Sequence, residues 1–118
     1  MSWPVLLHPD FEPEFQTLPE VVRDEIFVSL PLMKTYGPTL GRPWVDTLKG
    51  SRFSNMKELR FRAADGVWRL AFAFDPKRQA ILLVAADKSG VSEQRFYKVL
   101  IDKADRRFAA HLKTLEGE

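Results

Sequence analysis

Several residue types are scarce or missing in this sequence, and each absence excludes a class of protein. Cysteine is absent, which excludes a disulfide framework, a thiolate metal site and a cysteine nucleophile. The two histidines, His8 and His111, are far apart in the chain, so we expect no histidine-rich metal site and no cofactor. No apolar run approaches the roughly 20 residues of a membrane helix, and the start Met1–Val5 does not resemble a signal peptide. We therefore expect a cytoplasmic protein.

What the sequence does contain is an uneven distribution of charge. The 118 residues fit one domain, spanning 1–118, and 45% of them are hydrophobic, as in ordinary globular proteins. The net charge is +2, but residues 1–41 carry −4 and residues 42–113 carry +8. This basic block predicts an anionic partner, although a solvated basic surface would give the same pattern.

The hydrophobic periodicity predicts helices and strands in the order β-α-α-β-β-β-α. Segregated helices and strands favour an α+β fold with an antiparallel sheet. Asp10 and Ser92 are candidate caps for the first and last helices, and Pro31 should kink or end the second helix. The predicted elements are a strand over Ser2–His8, helices over Phe11–Thr17 and from Pro19, a long loop over 38–55, strands over Met56–Ala63, Val67–Phe74 and Ala80–Ala86, and a helix from Ser92 to about Leu115.

The middle of the chain predicts a β-hairpin that carries arginines on one face. Asp65-Gly66 is a typical two-residue turn, and it would set residues whose numbers sum to 131 opposite each other. Arg62 would then face Arg69, with Arg60 one step along the strand. Like charges directly opposed destabilise a hairpin, so this cluster is better suited to binding a phosphate. The alternative is that these arginines are solvated or paired with nearby acidic residues.

Further candidates lie beside these arginines and after the last predicted strand. Ala71 and Ala73 share the basic face, and their small side chains predict a shallow floor rather than a second core. Lys88 leaves the last strand at the edge of this face, and Arg95 and Tyr97 lie at the start of the final helix. The phenol of Tyr97 can transfer a proton or stack on a base. The alternative is that Tyr97 is a half-buried helix residue and Lys88 an ordinary loop lysine.

Several short segments from the loop to the last helix share a pattern with one family. They are Leu40–Ser51 (LGRPWVDTLKGS), Asn55–Phe61 (NMKELRF), Trp68–Phe72 (WRLAF), Asp87-Lys88 and Arg95–Tyr97 (RFY). Together they resemble the phage-related HigB-like toxins of the RelE/ParE superfamily, and the resemblance extends from about residue 3 to residue 115. It implies a RelE-like fold, in which a small antiparallel sheet carries two N-terminal helices on one face and is followed by a C-terminal helix.

The resemblance also implies an activity. RelE-like and HigB-like members cleave mRNA, usually on the translating ribosome and without a metal. The 2′-hydroxyl attacks the neighbouring phosphate, which leaves a 2′,3′-cyclic phosphate and a 5′-hydroxyl. Such chemistry needs a base, a stabiliser of phosphate charge and an acid.

Matching positions imply a role for individual residues. The implied catalytic residues are Arg60 and Arg69 on the phosphate, Lys88 as a second cation or the base, and Tyr97 as a stacking or proton-transferring group. The implied RNA-binding residues are Lys57, Arg62 and Arg95. Glu58 is a weaker candidate for the base, because its basic neighbours should keep it ion-paired.

The same resemblance implies partners, and two other functions stay open. The expected partners are mRNA on the ribosome and a HigA-like helix-turn-helix antitoxin, through which the complex would bind operator DNA. A ParE-like protein of the same fold would instead poison DNA gyrase, but the retained Arg60, Arg69, Lys88 and Tyr97 favour the nuclease. A non-enzymatic protein would bind nucleic acid or an acidic partner through a spread-out basic face.

Overall fold

The computed structural model describes residues 2–117 of the chain. The predicted order of elements is confirmed, with one additional short strand inside the segment expected to be a long loop. The elements are β1 (Val5–Leu7), α1 (Phe11–Thr17), α2 (Glu20–Tyr36), a 3-10 turn (Gly37–Thr39), β2 (Val45–Thr47), β3 (Met56–Ala63), β4 (Gly66–Phe74), β5 (Ala80–Asp87) and α3 (Glu93–Glu116). None of the helices within residues 2–117 is long and apolar enough to cross a membrane.

The strands form one sheet in the order β1-β5-β4-β3-β2. Its β2-β3, β3-β4 and β4-β5 pairs are antiparallel, as predicted, but β1 runs parallel to β5, so the sheet as a whole is mixed. The physical reason is the connection: β1 leads into two helices rather than a tight turn, so no hairpin forces it to be antiparallel. The short strand β2 forms one edge of the sheet, next to β3.

Both faces of the sheet are buried by helices, over two separate apolar clusters. One cluster packs α1 and α2 against the sheet and contains Phe11, Ile26 and Phe72. The other cluster lies under α3, on what we term the α3 face, and contains Ala71 and Phe108 among others. The expectation of a shallow floor at Ala71 and Ala73 is wrong, since both are fully buried; their small side chains let α3 pack close to the strand.

The structure bears on three other local predictions, those for Pro31, Asp10 and Ser92. Helix α2 continues through Pro31 to Tyr36. Burial of Ile26 and Met33 on the two sides of this proline outweighs the backbone hydrogen bond that proline removes. Asp10 does precede α1, but its side chain makes no capping bond. The cap of α3 is confirmed, because the hydroxyl of Ser92 accepts a hydrogen bond from the Arg95 backbone N–H at 3.3 Å.

The β3–β4 hairpin turns one residue earlier than predicted. Its two turn residues are Ala64 and Asp65, both with positive φ (50° and 60°), and Gly66 is the first residue of β4. A Cβ at Gly66 would lie only 2.6 Å from Asp87 Oδ2, so glycine is required here by a close approach and not by the turn. As a result Arg69 faces Arg60, and the predicted pairing of Arg69 with Arg62 is wrong.

Candidate active site

Two strands and one helix bring four polar side chains together on the α3 face. Glu58 and Arg60 alternate outward from β3, and Arg69 stands directly opposite Arg60 on β4. Tyr97 reaches the same place from the N-terminal part of α3, where its ring packs edge-on against Phe96 at 5.2 Å. Arg60, Arg69 and Tyr97 are predicted site residues, and these three lie within one hydrogen-bonded cluster.

The carboxylate of Glu58 is the hub of this cluster. The Tyr97 hydroxyl donates a hydrogen bond to Glu58 Oε1 at 2.7 Å, and Arg69 Nε lies 3.3 Å from the same oxygen. Arg69 Nε also donates to the Tyr97 hydroxyl at 3.2 Å. On the other side, Arg60 Nη2 lies 3.4 Å from Glu58 Oε2. A buried negative charge therefore separates two arginines that would otherwise repel each other across the hairpin.

Burial controls the protonation of Tyr97. Its pKa is raised, first because burial disfavours the phenolate and then because the hydroxyl donates to the Glu58 carboxylate. Tyr97 therefore carries its proton at neutral pH and is a proton donor. Arg60 contributes an unused donor, since its buried Nε has no hydrogen-bond partner in the described part of the chain. The cluster thus combines a protonated phenol, a buried carboxylate and guanidinium groups.

A cleft of about 460 Å³ opens beside this cluster. Its floor and walls come from the loop around β2, from β3 and from the start of α3; the lining includes Arg42, Asp46, Lys49, Glu58, Arg60, Glu93, Gln94 and Tyr97. Asp46 lies 2.9 Å from Arg42 Nη2 and 3.5 Å from Arg60 Nη2. Its pKa is lowered, mainly by the Arg42 hydrogen bond and next by the Thr47 backbone N–H. The cleft is therefore lined by both basic and acidic groups, and it borders the Glu58 cluster.

The remaining predicted residues lie outside the hydrogen-bonded cluster. Lys88 sits near the rim, with Nζ 3.2 Å from Glu93 Oε1. Arg62 is exposed on the α3 face, further along β3 toward the hairpin turn. Lys57 alternates with Glu58 and so lies on the opposite face of the sheet. Arg95 lines a different groove, between α3 and β5, on the other flank of the helix.

Three functional candidates were missed or underrated from sequence alone. Glu58 was rated a weak candidate because of its ion pairs, yet those pairs place it at the centre of the site. The signal was present in the alternation of β3, which puts Glu58 on the same face as Arg60. Arg42 and Asp46 lay in the segment expected to be a loop, so nothing indicated that they would line the cleft.

The two histidines lie away from this cleft. His111, near the far end of α3, pairs with the buried carboxylate of Asp75 at 2.7 Å. His8 is buried at the end of β1, and its pKa is lowered chiefly by burial. Within residues 2–117 no group of three or more histidine, cysteine or acidic residues is arranged to hold a metal ion. We interpret both histidines as structural.

Comparison with known proteins identifies the family of this chain. The family described as phage derived protein Gp49-like (DUF891) matches residues 13–109. The chain belongs to this family. HigB3 of Mycobacterium tuberculosis (strain H37Rv) is 45% identical over 113 residues, which cover 96% of each protein. HigB2 of the same organism is 46% identical over 92 residues, which are 77% of this chain but 45% of that protein, so the chain spans less than half the length of this relative. Both relatives carry the name of a toxin.

A solved structure provides the comparison for the fold. The structure is that of a double arginine-to-alanine mutant of the Escherichia coli toxin RelE in the free state. Its superposition covers 91% of this Gp49-like chain and 98% of the RelE chain, with a TM-score of 0.64. The sequence identity is 13%, so this likeness concerns the fold alone. It confirms the predicted RelE-like fold, and the curated relatives confirm the predicted resemblance to HigB-like proteins.

Proposed function

We propose that this Gp49-like protein is the toxin of a type II toxin–antitoxin module and an endoribonuclease that cleaves mRNA on the translating ribosome. The toxin assignment is supported by family membership and by two relatives named as toxins. The ribonuclease assignment depends on one observation above all: Glu58, Tyr97, Arg69 and Arg60 form a single hydrogen-bonded cluster beside a cleft lined by further charged groups.

The cluster contains each group that 2′-hydroxyl attack needs. Arg60 and Arg69 stabilise the added negative charge on the phosphate, as guanidinium groups pair well with phosphate oxygens. Glu58 takes the proton of the 2′-hydroxyl as the 2′-oxygen bonds to phosphorus. The bond from phosphorus to the 5′-oxygen breaks, and that oxygen takes the proton of Tyr97. The products are a 2′,3′-cyclic phosphate and a 5′-hydroxyl.

The contact between Glu58 and Tyr97 restores the site after each cleavage. Once Glu58 has gained a proton and Tyr97 has lost one, the proton crosses their 2.7 Å hydrogen bond. The proton moves from Glu58 to Tyr97 because a phenolate is a stronger base than a carboxylate. The charge compensation in this scheme comes from arginines, so cleavage should persist in EDTA. Strict dependence on added magnesium would contradict the scheme.

Of the other predicted cationic residues, two bind flanking phosphates in this proposal and two have no role in it. Lys88 and Arg62 are available to phosphates flanking the scissile one, because they lie at the rim or on the exposed part of the same face. Lys57 and Arg95 face away from the cleft, so we leave them out of the proposed RNA path. The proposed partner is a HigA-like helix-turn-helix antitoxin that carries the operator contacts, and the proposed site of action is the cytoplasm, where mRNA is translated.

The first experiment is induced expression without an antitoxin, followed by mapping of RNA 5′ ends. We expect growth arrest and new 5′-hydroxyl ends inside coding regions. Arg69→Ala and Tyr97→Phe should reduce these ends by about 100-fold or more, because each removes a group that acts in the transition state. Arg106→Ala is the matched control, since this exposed arginine pairs with Asp102 on the outer side of α3.

Other outcomes would point to other functions. Growth arrest with intact mRNA, cleaved DNA and an SOS response would contradict the ribonuclease and indicate a gyrase poison of the ParE kind. Cleavage that is unchanged in both Arg69→Ala and Tyr97→Phe would refute the proposed site. An absence of toxicity and of new RNA ends would refute the proposed activity and leave a binding protein.

A further inference from the structure

Trp44 is exposed to an extent that is unusual for tryptophan. Its relative exposure is 52%, whereas Trp68 is 9% exposed and Trp3 packs against Phe74 at a ring distance of 5.3 Å. Leaving an indole in water forgoes the large hydrophobic gain that burial would provide. An exposed aromatic ring of this size is therefore a candidate contact for a ligand or partner.

The sheet register places Trp44 beside the catalytic cluster. The backbone N–H of Arg60 donates to the Trp44 carbonyl at 2.8 Å, which extends the pairing of Val45 with Leu59 by one residue. Val45 is buried in the core under α1 and α2, so alternation puts Trp44 on the α3 face with Arg60 and Glu58. Directly opposed side chains in a sheet have Cβ atoms about 5 Å apart. Trp44 is thus next to the arginine that we place on the scissile phosphate.

Two arginines beside this indole are suited to the phosphates of single-stranded RNA, and both also contact the carboxylate of Asp46. Arg42, whose side chain is 74% exposed, precedes Trp44 by two residues, and Arg60 lies across the strand from it. Proteins that bind single strands combine cations for the phosphates with aromatic rings on which bases stack. Because β2 is an edge strand of the sheet, no further strand covers this part of residues 2–117.

We infer that Trp44 is a base-stacking residue for the nucleotide next to the scissile phosphate. This inference rests on the proposed ribonuclease function and extends it. Arg42 and Arg60 neutralise the phosphates on the two sides of that nucleotide, and the indole holds its base. Stacking tolerates any base, because every base has an aromatic face. Trp44 therefore holds a base beside the cleft and takes no part in proton transfer.

The first test compares cleavage by Trp44 variants in induced cells. Trp44→Ala should lower the yield of 5′-hydroxyl ends about ten-fold or more, whereas Trp44→Phe, which keeps a ring, should retain most of it. Tyr36→Ala is the control, because Tyr36 is another exposed aromatic residue (54%), at the end of α2. Equal thermal unfolding of the variants would show that folding is not the cause.

The second test measures binding without cleavage. A single-stranded 2′-O-methyl oligonucleotide cannot undergo 2′ attack, and its stacking on Trp44 should quench the tryptophan fluorescence of the wild type. The quenching should be lost in Trp44→Phe. Quenching that is absent, or that persists in Trp44→Phe, would overturn the inference.

The outcomes distinguish a failure of this inference from a failure of the proposed ribonuclease function. Undiminished cleavage by Trp44→Ala would overturn the stacking role and leave the ribonuclease intact, with Trp44 free to be a protein contact. Equal losses in Trp44→Ala and Trp44→Phe would also overturn it, because stacking survives in phenylalanine. A wild type that yields no new 5′-hydroxyl ends would refute the proposed function, and the inference with it.

Discussion

Removing the charge of Glu58 should destabilise the protein, because this carboxylate separates two opposed arginines. Glu58→Gln keeps the shape of the side chain and its capacity to accept a hydrogen bond from Tyr97. It deletes the negative charge that lies 3.3 Å from Arg69 and 3.4 Å from Arg60. The two guanidinium groups would then face each other across the hairpin without the carboxylate between them.

The size of the effect depends on how far each arginine can reach water. The side chain of Arg69 is 12% exposed, and its remaining partners are the Tyr97 hydroxyl and the Trp68 carbonyl, both neutral. Arg60 is 36% exposed and keeps Asp46 at 3.5 Å. Breaking a buried pair by removing one partner costs about 3–5 kcal/mol. Since only Arg69 is left buried without a counter-charge, we expect the lower end, about 3 kcal/mol.

Urea unfolding followed by circular dichroism at pH 7 would measure this loss. The control is Asp102→Asn, which breaks an exposed pair with Arg106 and should cost no more than about 1 kcal/mol. The double variant Glu58→Gln/Arg69→Gln should recover part of the stability, since it removes the stranded charge together with its partner. A Glu58→Gln protein within about 1 kcal/mol of the wild type would refute the role assigned to this carboxylate.

Three further predictions concern the scaffold of the site. Gly66→Ala should destabilise by more than about 2 kcal/mol, because its Cβ would meet a carboxylate oxygen at 2.6 Å, whereas Gly117→Ala, with 3.6 Å to its nearest contact, should be nearly neutral by the same unfolding assay. Ser92→Ala should cost about 1 kcal/mol through loss of the cap of α3; an unchanged unfolding midpoint would contradict this. The pKa of Glu14 is lowered, mainly by its hydrogen bond from Arg107. This group therefore stabilises the fold above its unfolded pKa, and the stabilisation is lost as the pH falls, so the stability difference between wild type and Glu14→Gln should shrink in an acid titration; a difference independent of pH would contradict it.

The sequence was sufficient to place the right residues on the right face, but not to pair them correctly. Alternation in the two long strands is strong, so Arg60 and Arg69 were assigned to one face. The error in the turn moved the register by two residues, which preserves the face while changing the partner. Gly66 caused this error, since its close approach to Asp87 is a tertiary constraint that no local pattern displays.

The central role of Glu58 was harder to predict for a different reason. Its importance comes from contacts with β4 and α3, and its hydrogen bond to Tyr97 joins residues 39 positions apart. Basic neighbours in a sequence indicate ion pairing, but they do not indicate whether the pair is at the surface or buried at the centre of a cluster. The short strand β2 was missed because three residues in a proline- and glycine-containing segment give no detectable periodicity.

The cleft is built from segments that are far apart in the chain, and this has a consequence for the synthesis of the protein. Its walls come from the segment around β2, from β3 and from α3, and the helix that carries Tyr97 is translated after every strand of the sheet. A nascent chain that has exposed only the strands lacks the proton donor and one wall of the cleft. If the protein attacks translation as proposed, the ribosome that makes each copy is protected from it until α3 has emerged and packed. On that proposal, the order of the elements along the chain delays toxicity until α3 has been made.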